Sequence, residues 1–156
     1  MKTNREIEEQ LKAPMNYKWR IQSITDYKAT CVAYIDARDV MDRLDEVFGV
    51  DGWSDEFYEA DGKLFCKLTC KFNDGYFISK SDTGSESNVE KDKGLVSDTF
   101  KRTAVKFGIG RFLYSLGFED LKVKKHINNK NYPADDKGNI LWTSADLNNY
   151  ISLKNK

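Results

Sequence analysis

The 156 residues carry 25 Lys plus Arg against 25 Asp plus Glu, with 40% hydrophobic and 13% aromatic content. A chain of that size buries roughly two-thirds of its unfolded surface, so residues 1–156 are expected to fold as one domain without disulfides or a structural metal, which excludes general disorder. The longest apolar runs, such as 31–34, fall far short of the roughly 18 to 20 residues that span a bilayer, and the charged start Met1-Lys2-Thr3-Asn4-Arg5-Glu6 holds no secretory stretch; no membrane partner and a cytoplasmic location are the expectation.

Thr3 or Asn4 caps a helix that runs through about Lys12 and stops before Pro14. Residues 17–25 and 28–35 read as extended segments, the second rich in β-formers. Asp36 then caps a second helix whose inward stripe is Val40, Met41, Leu44, Val47 and Phe48, with Gly49 ending it. Asp39, Asp42, Arg43, Asp45 and Glu46 lie mostly off that stripe and read as a solvated face.

After Gly52 come three strands joined by the turns Ala60-Asp61-Gly62-Lys63 and Asn73-Asp74-Gly75-Tyr76, since Asp-Gly between strand-like runs is a strong hairpin signal. In the middle strand Leu64, Cys66, Leu68, Cys70 and Phe72 face one way and Phe65, Lys67, Thr69 and Lys71 the other, which gives a meander with one covered face. Cys31, Cys66 and Cys70 are expected as reduced, core-filling thiols. A polar loop over 83–88 precedes a helix over 91–109, with Val96, Phe100, Thr103, Ala104 and Phe107 inward and Asp98, Lys101, Arg102 and Val105 outward. Gly108 and Gly110 break it, a short apolar element begins at Arg111, and the tail holds a turn at 135–139 and a helix capped by Thr143 or Ser144.

The zero net charge hides a partition along the chain. Residues 36–62 hold ten acidic residues and two Arg, a net of −8, whereas 91–130 hold ten basic residues and four acidic ones, a net of +6. A local positive stripe is the footprint of a nucleic-acid site, and a solvated helix face is the bland alternative. Enzymatic readings find little support: there is no Gly-x-x-x-x-Gly-Lys-Ser/Thr, no Gly-x-Gly-x-x-Gly after a strand and no Gly-x-Ser-x-Gly. Neither a cofactor nor a metal is expected. His126 stands beside Lys124 and Lys125 and reads as solvated or phosphate-facing, and the acidic groups at Asp36 and Asp39 or Asp55 and Glu56 leave a metal-dependent nuclease as the remotest alternative.

Val96-Ser97-Asp98-Thr99-Phe100-Lys101-Arg102, followed by Phe107-Gly108-Ile109-Gly110-Arg111-Phe112-Leu113-Tyr114, resembles the signature of the Rad52 family of single-strand annealing proteins, with its phage and DdrA-like bacterial branches. Residues 34–49, with Gly52-Trp53 after them, resemble it too, and the resemblance covers about 28–118. It implies an α+β fold with a β-β-β-α core, an antiparallel meander packed against a long helix, flanked by an N-terminal helix and extended segment (1–27) and a C-terminal turn and helix (119–156). It also implies assembly into a ring and ATP-independent annealing of complementary strands in recombination and repair, without covalent chemistry. Single-stranded DNA, further copies of the chain and a single-strand-binding protein of the bacterial host or phage are the implied partners.

Lys101 and Arg102 match the family's basic pair, and Lys91, Lys93, Lys106 and Arg111 are further candidates on or near the same helix. Ungapped alignment puts Asp39 where eukaryotic members carry a DNA-contacting Arg, which makes neighbouring Arg38 its candidate replacement; another basic position falls on Val105, beside Lys106. Val105, Ile109 and Phe112 are expected on or near the outer face of the helix, and the acidic segment 36–62 and basic segment 91–130 are expected to meet head to tail between adjoining subunits, the alternative being that both meet within one subunit. The main alternative is a protector that binds single strands without pairing them.

Overall fold

The computed structural model describes residues 1–84 and 94–156. In chain order the elements are α1 (Asn4–Lys12), β1 (Lys18–Ile24), β2 (Ala29–Tyr34), α2 (Ala37–Phe48), β3 (Trp53–Ala60), β4 (Lys63–Lys71), β5 (Phe77–Thr83), α3 (Leu95–Val105), α4 (Leu113–Leu116), β6 (Phe118–Lys125), β7 (Asn131–Ala134) and α5 (Ser144–Lys154). The fold is α+β with antiparallel sheets. The chain forms two compact units, residues 1–15 with 35–112 and residues 16–34 with 113–156. Among the described residues no helix is long and apolar enough to cross a membrane.

In the first unit α1 starts at a capping box. Glu6 N donates to Thr3 Oγ1 and Thr3 N to Glu6 Oε2, which satisfies two of the amides a helix leaves open at its start. Its other end is closed by Arg43, expected on a solvated face. That guanidinium donates to Gln10 O at 2.6 Å, Ala13 O at 2.8 Å and Pro14 O at 3.4 Å, and its side chain is only 11% exposed. A cation suits the carbonyl end of a helix, where partial negative charge collects. The inward stripe of α2 is Val40, Leu44 and Val47, whereas Met41, expected within it, is 40% exposed.

The meander β3-β4-β5 has the expected register, set by its two turns. Asp61 and Gly62 (φ 53° and 74°) make the first, and Asp74 and Gly75 (φ 73° and 76°) the second; Gly carries the left-handed conformation without the steric cost that other residues meet. Cys66, Leu68, Cys70 and Phe72 are buried on the face that α3 covers. From the helix come Thr99, Phe100, Thr103 and Ala104. Two of these are threonines, whose hydroxyls stay satisfied: Thr99 Oγ1 donates to Leu95 O at 2.6 Å, and Thr103 Oγ1 reaches Thr99 O at 2.9 Å and Cys66 O of β4 at 3.2 Å. Val96, expected inward, is 50% exposed, because the end of β5 meets the helix one turn later, where Gly84 N donates to Thr99 Oγ1. Of the expected helix over 91–109, residues 91–93 lie outside the described residues, and the helix ends at Val105. After Val105 the chain turns back on itself, and Ile109 donates to Ala104 O and is buried at 1% exposure, so it is not an outward-facing apolar residue.

The second unit is a four-stranded sheet, ordered β1-β2-β6-β7, with α5 packed on it. Thr143 caps α5 as expected, in a capping box with Asp146. Leu147 and Ile151 of that helix bury against Trp19, Ala29, Cys31, Ala33 and Leu121. Strands β6 and β7 occupy a region read as only a turn and a helix. On β1 just Trp19 is buried, and Asn148 holds it there: Trp19 N donates to Asn148 Oδ1 at 2.7 Å, and Asn148 Nδ2 donates to Trp19 O at 3.1 Å. One side-chain amide thus pairs with β1 as a neighbouring strand would.

Candidate nucleic-acid interface

The buried face of α3 fixes where its cations point. Arg102 is exposed and, among the described residues, makes no hydrogen bond or ion pair with the chain. Its neighbour Lys101 is half-buried, and its Nζ donates to Ile35 O at 3.2 Å, tying α3 to the residue just before the cap of α2. Arg38 lies exposed on the first turn of α2. Asp39, at the position where the family pattern has Arg, serves the helix instead: its Oδ2 accepts from Asp36 N at 2.8 Å. Cap chemistry accounts for that departure, since a carboxylate at the start of a helix is favoured by the same dipole that disfavours Arg.

The other end of α3 gathers a second set of cations. Arg111 Nε donates to Val105 O at 2.8 Å and Nη2 to Lys106 O at 2.9 Å, while Lys80 Nζ donates to Lys106 O at 3.1 Å and lies 5.1 Å above the Phe107 ring. These charges close the carbonyl end of the helix as Arg43 closes α1. With Lys12, Lys106 and Phe107 they line a cleft of about 230 Å³ where, among the described residues, the one carboxylate is Glu8. Gly108 sits there at φ 109°, and a Cβ on it would lie 2.7 Å from Lys12 Cγ, so the close approach of α1 to the end of α3 requires glycine. Four cations around one small opening suit an oxyanion such as a phosphate.

The structure therefore brings Lys106 and Arg111 together, leaves Arg102 free on α3 and holds Lys101 beside the start of α2. Lys91 and Lys93 lie outside the described residues. Sequence reasoning missed Lys80 and Lys12. The signal for Lys80 was present, because the Asp74-Gly75 turn sets the register that places it opposite Leu68, on the face α3 covers. Lys12 had none, since its approach to Gly108 is a tertiary contact.

Asp36 and Asp39 are engaged at the start of α2, and among the described residues no three or more His, Cys, Asp or Glu come together where they could hold a metal. The three thiols are free and buried. Burial pushes Cys31 and Cys66 up to about 11 and Cys70 to about 12, so none is poised as a nucleophile.

Residues 3–132 match a family model described as Rad52/22 family double-strand break repair protein. Two proteins named single-stranded DNA-binding protein DdrA are also similar. That of Deinococcus deserti is 36% identical over 118 residues, covering 71% of this chain and 58% of its own length. That of Deinococcus radiodurans is 37% identical over 91 residues, covering 57% and 43%. The chain thus spans about half the length of these curated relatives.

Proposed function

Because this chain belongs to the Rad52/22 family of double-strand break repair proteins, we propose that it binds single-stranded DNA through its phosphates and anneals complementary strands without ATP. The observation that carries this reading is Arg102, an exposed cation with no partner in the chain among the described residues, on the outer face of the helix that bears the family signature. Lys101 stands beside it, Arg38 is exposed on the first turn of α2, and Lys106 and Arg111 border the cleft at the far end of α3. Lys91 and Lys93 complete the proposed set.

Annealing asks for no bond to be made or broken. Complementary strands repel each other, and cations along a groove offset that repulsion while leaving bases free to find their complements. A single short helix holds few nucleotides, so copies of the chain, assembled as a ring, would extend one groove, with a host or phage single-strand-binding protein as a further partner.

Mixing complementary oligonucleotides with the purified chain tests the reading. Duplex should form faster with neither nucleotide nor metal added; slowed pairing would mark a protector, and strict dependence on ATP would sink the mechanism. Arg102→Ala is the cleaner variant, because Lys101 also holds Ile35 O. It should weaken binding alike on unrelated sequences and lower the salt slope by roughly 0.7, the contribution of one phosphate contact on a single strand. Light scattering checks the ring, which a persistent monomer that still anneals would contradict.

A further inference from the structure

We propose that the second unit carries its own contact for single-stranded DNA, one that grips bases: an aromatic platform of His126, Tyr132 and Trp142 on the β6–β7 hairpin and the strand-like segment after it. The inference rests on the single-strand reading above but uses none of its residues. Trp142 and Tyr132 lie with ring centroids 4.9 Å apart, and His126 packs edge-on against both, 5.0 Å from Trp142 and 6.0 Å from Tyr132. Yet Trp142 remains 56% exposed, a large open surface for an indole already packed on one side.

The backbone that carries the rings is held by its own hydrogen bonds. His126 N donates to Lys130 O at 2.9 Å, closing the hairpin, and Asn128 Nδ2 donates to Tyr132 Oη at 3.0 Å. Leu141 N donates to Pro133 O at 2.9 Å and Ile140 bridges Ala134, so the residues before Trp142 are held along β7. A platform built in advance loses little entropy when a flat partner arrives.

Isolated exposed aromatics are commonplace, and it is the charge around this one that names the partner. Residues 121–132 hold four Lys and no acidic residue. Strand register puts Lys124 directly opposite Tyr132, on the same face, away from buried Leu121 and Pro133. Lys124 and Lys130 make no side-chain hydrogen bond or ion pair among the described residues. Lys122 and Lys125 pair with Asp136 and Asp26 at 3.8 and 3.9 Å, in contacts so exposed that they are worth little and are readily exchanged. The nearby Asp135 carboxylate is turned into its own loop, accepting from Asn139 N and Lys137 N. An exposed indole beside two unengaged lysines matches an unpaired base and its flanking phosphates; a base inside a duplex has no free face to offer.

Titrating the full chain with oligo(dT) and with an abasic deoxyribose-phosphate strand of equal length separates base from backbone. On oligo(dT), Trp142→Ala should lose about tenfold in affinity, and Trp142→Phe should keep most of it. On the abasic strand both variants should bind as the parent does. Lys124→Ala with Lys130→Ala should weaken both strands alike. Equal behaviour of a folded Trp142→Ala and the parent on oligo(dT), or equal losses on the two strands, overturns the platform while leaving the α3 reading intact. A smaller particle in solution with unchanged base-dependent binding makes the patch a contact between copies and overturns it too. A parent that binds neither strand removes the single-strand reading and this contact together.

Discussion

The two units are both an antiparallel sheet with a helix on it, but they are assembled over different distances along the chain. In the first, β3, β4 and β5 follow one another through two tight turns, and α3 comes next to cover them. In the second, β2 pairs with β6, bringing Thr30 to Asp120, 90 positions farther along the chain. The first unit spends three of its cations on helix ends: Arg43 closes α1, and Arg111 and Lys80 close α3, each aimed at carbonyls. In the second unit Lys122 and Lys125 of β6 stay at the surface in loose pairs, and Lys124 makes none among the described residues. A charge count along the sequence treats both groups alike. What separates them is where carbonyls await a donor, and this decides which cations remain available for a ligand.

The comparison is tested most strongly at Arg43. Truncating it removes the side-chain donor from the carbonyls of Gln10 and Ala13 in a part-buried place and from that of Pro14 at the surface, and leaves Gln10 O with only the Ala13 amide. Arg43→Ala should lower stability by about 3 kcal/mol, seen as a smaller urea midpoint at unchanged slope. A cost under about 1 kcal/mol would mean that water replaces the guanidinium and that this cation is not structural. The counterpart in the second unit is Asn148, whose amide pairs with both backbone groups of Trp19. Because an edge strand can turn to water, Asn148→Ala should cost less, about 1.5 kcal/mol, and hydrogen exchange at Trp19 N should accelerate. If Asn148→Ala proves the more damaging of the two, the second unit is the more tightly specified and the contrast is reversed.

The same difference in distance governs what the sequence made legible. Asp61-Gly62 and Asp74-Gly75 fixed the meander register, and with it the alternation that buries Cys66, Leu68 and Cys70. The caps were readable to within one residue, as Thr3 or Asn4 and Thr143 or Ser144, because a cap is a local hydrogen bond, and the structure shows Thr3 and Thr143. Strand β6 was not, since Phe-Glu-Asp-Leu-Lys-Val-Lys-Lys turns only Leu121 and Val123 toward the core and its partner β2 lies far away in sequence. At the candidate interface Arg102 was legible from the helical period alone. Lys101 was placed on the outer face without its bond to Ile35, and the ends of α1 and α3 that claim Arg43 and Arg111 came only with the tertiary fold.

The smallest expected effect uses the buried thiols as reporters, one in the second unit and two in the first. All three have folded-state values raised from 9.0, Cys31 and Cys66 to about 11 and Cys70 to about 12, chiefly because burial disfavours the thiolate; for Cys31 the nearby Glu119 and Asp120 charges add to it. The fold therefore favours the protonated thiols, and their contribution is fully present below pH 9, then is lost as pH rises toward 11 and 12. A pH scan of the urea midpoint should decline through that window, and a rise there would contradict it. At pH 8 a thiol reagent should find nothing in the native protein until a strand opens, so the order of labelling reports which sheet opens first. Cys31 lies on β2 beside β1, an edge strand clasped by one Asn side chain and interrupted by an irregularity between Ile21 and Ser23. Cys66 and Cys70 lie on the central strand of the meander, beneath α3. Cys31 should label first, and prior labelling of Cys70 would mean that the sheet of sequence neighbours is the one that opens more readily, whatever the legibility of its turns.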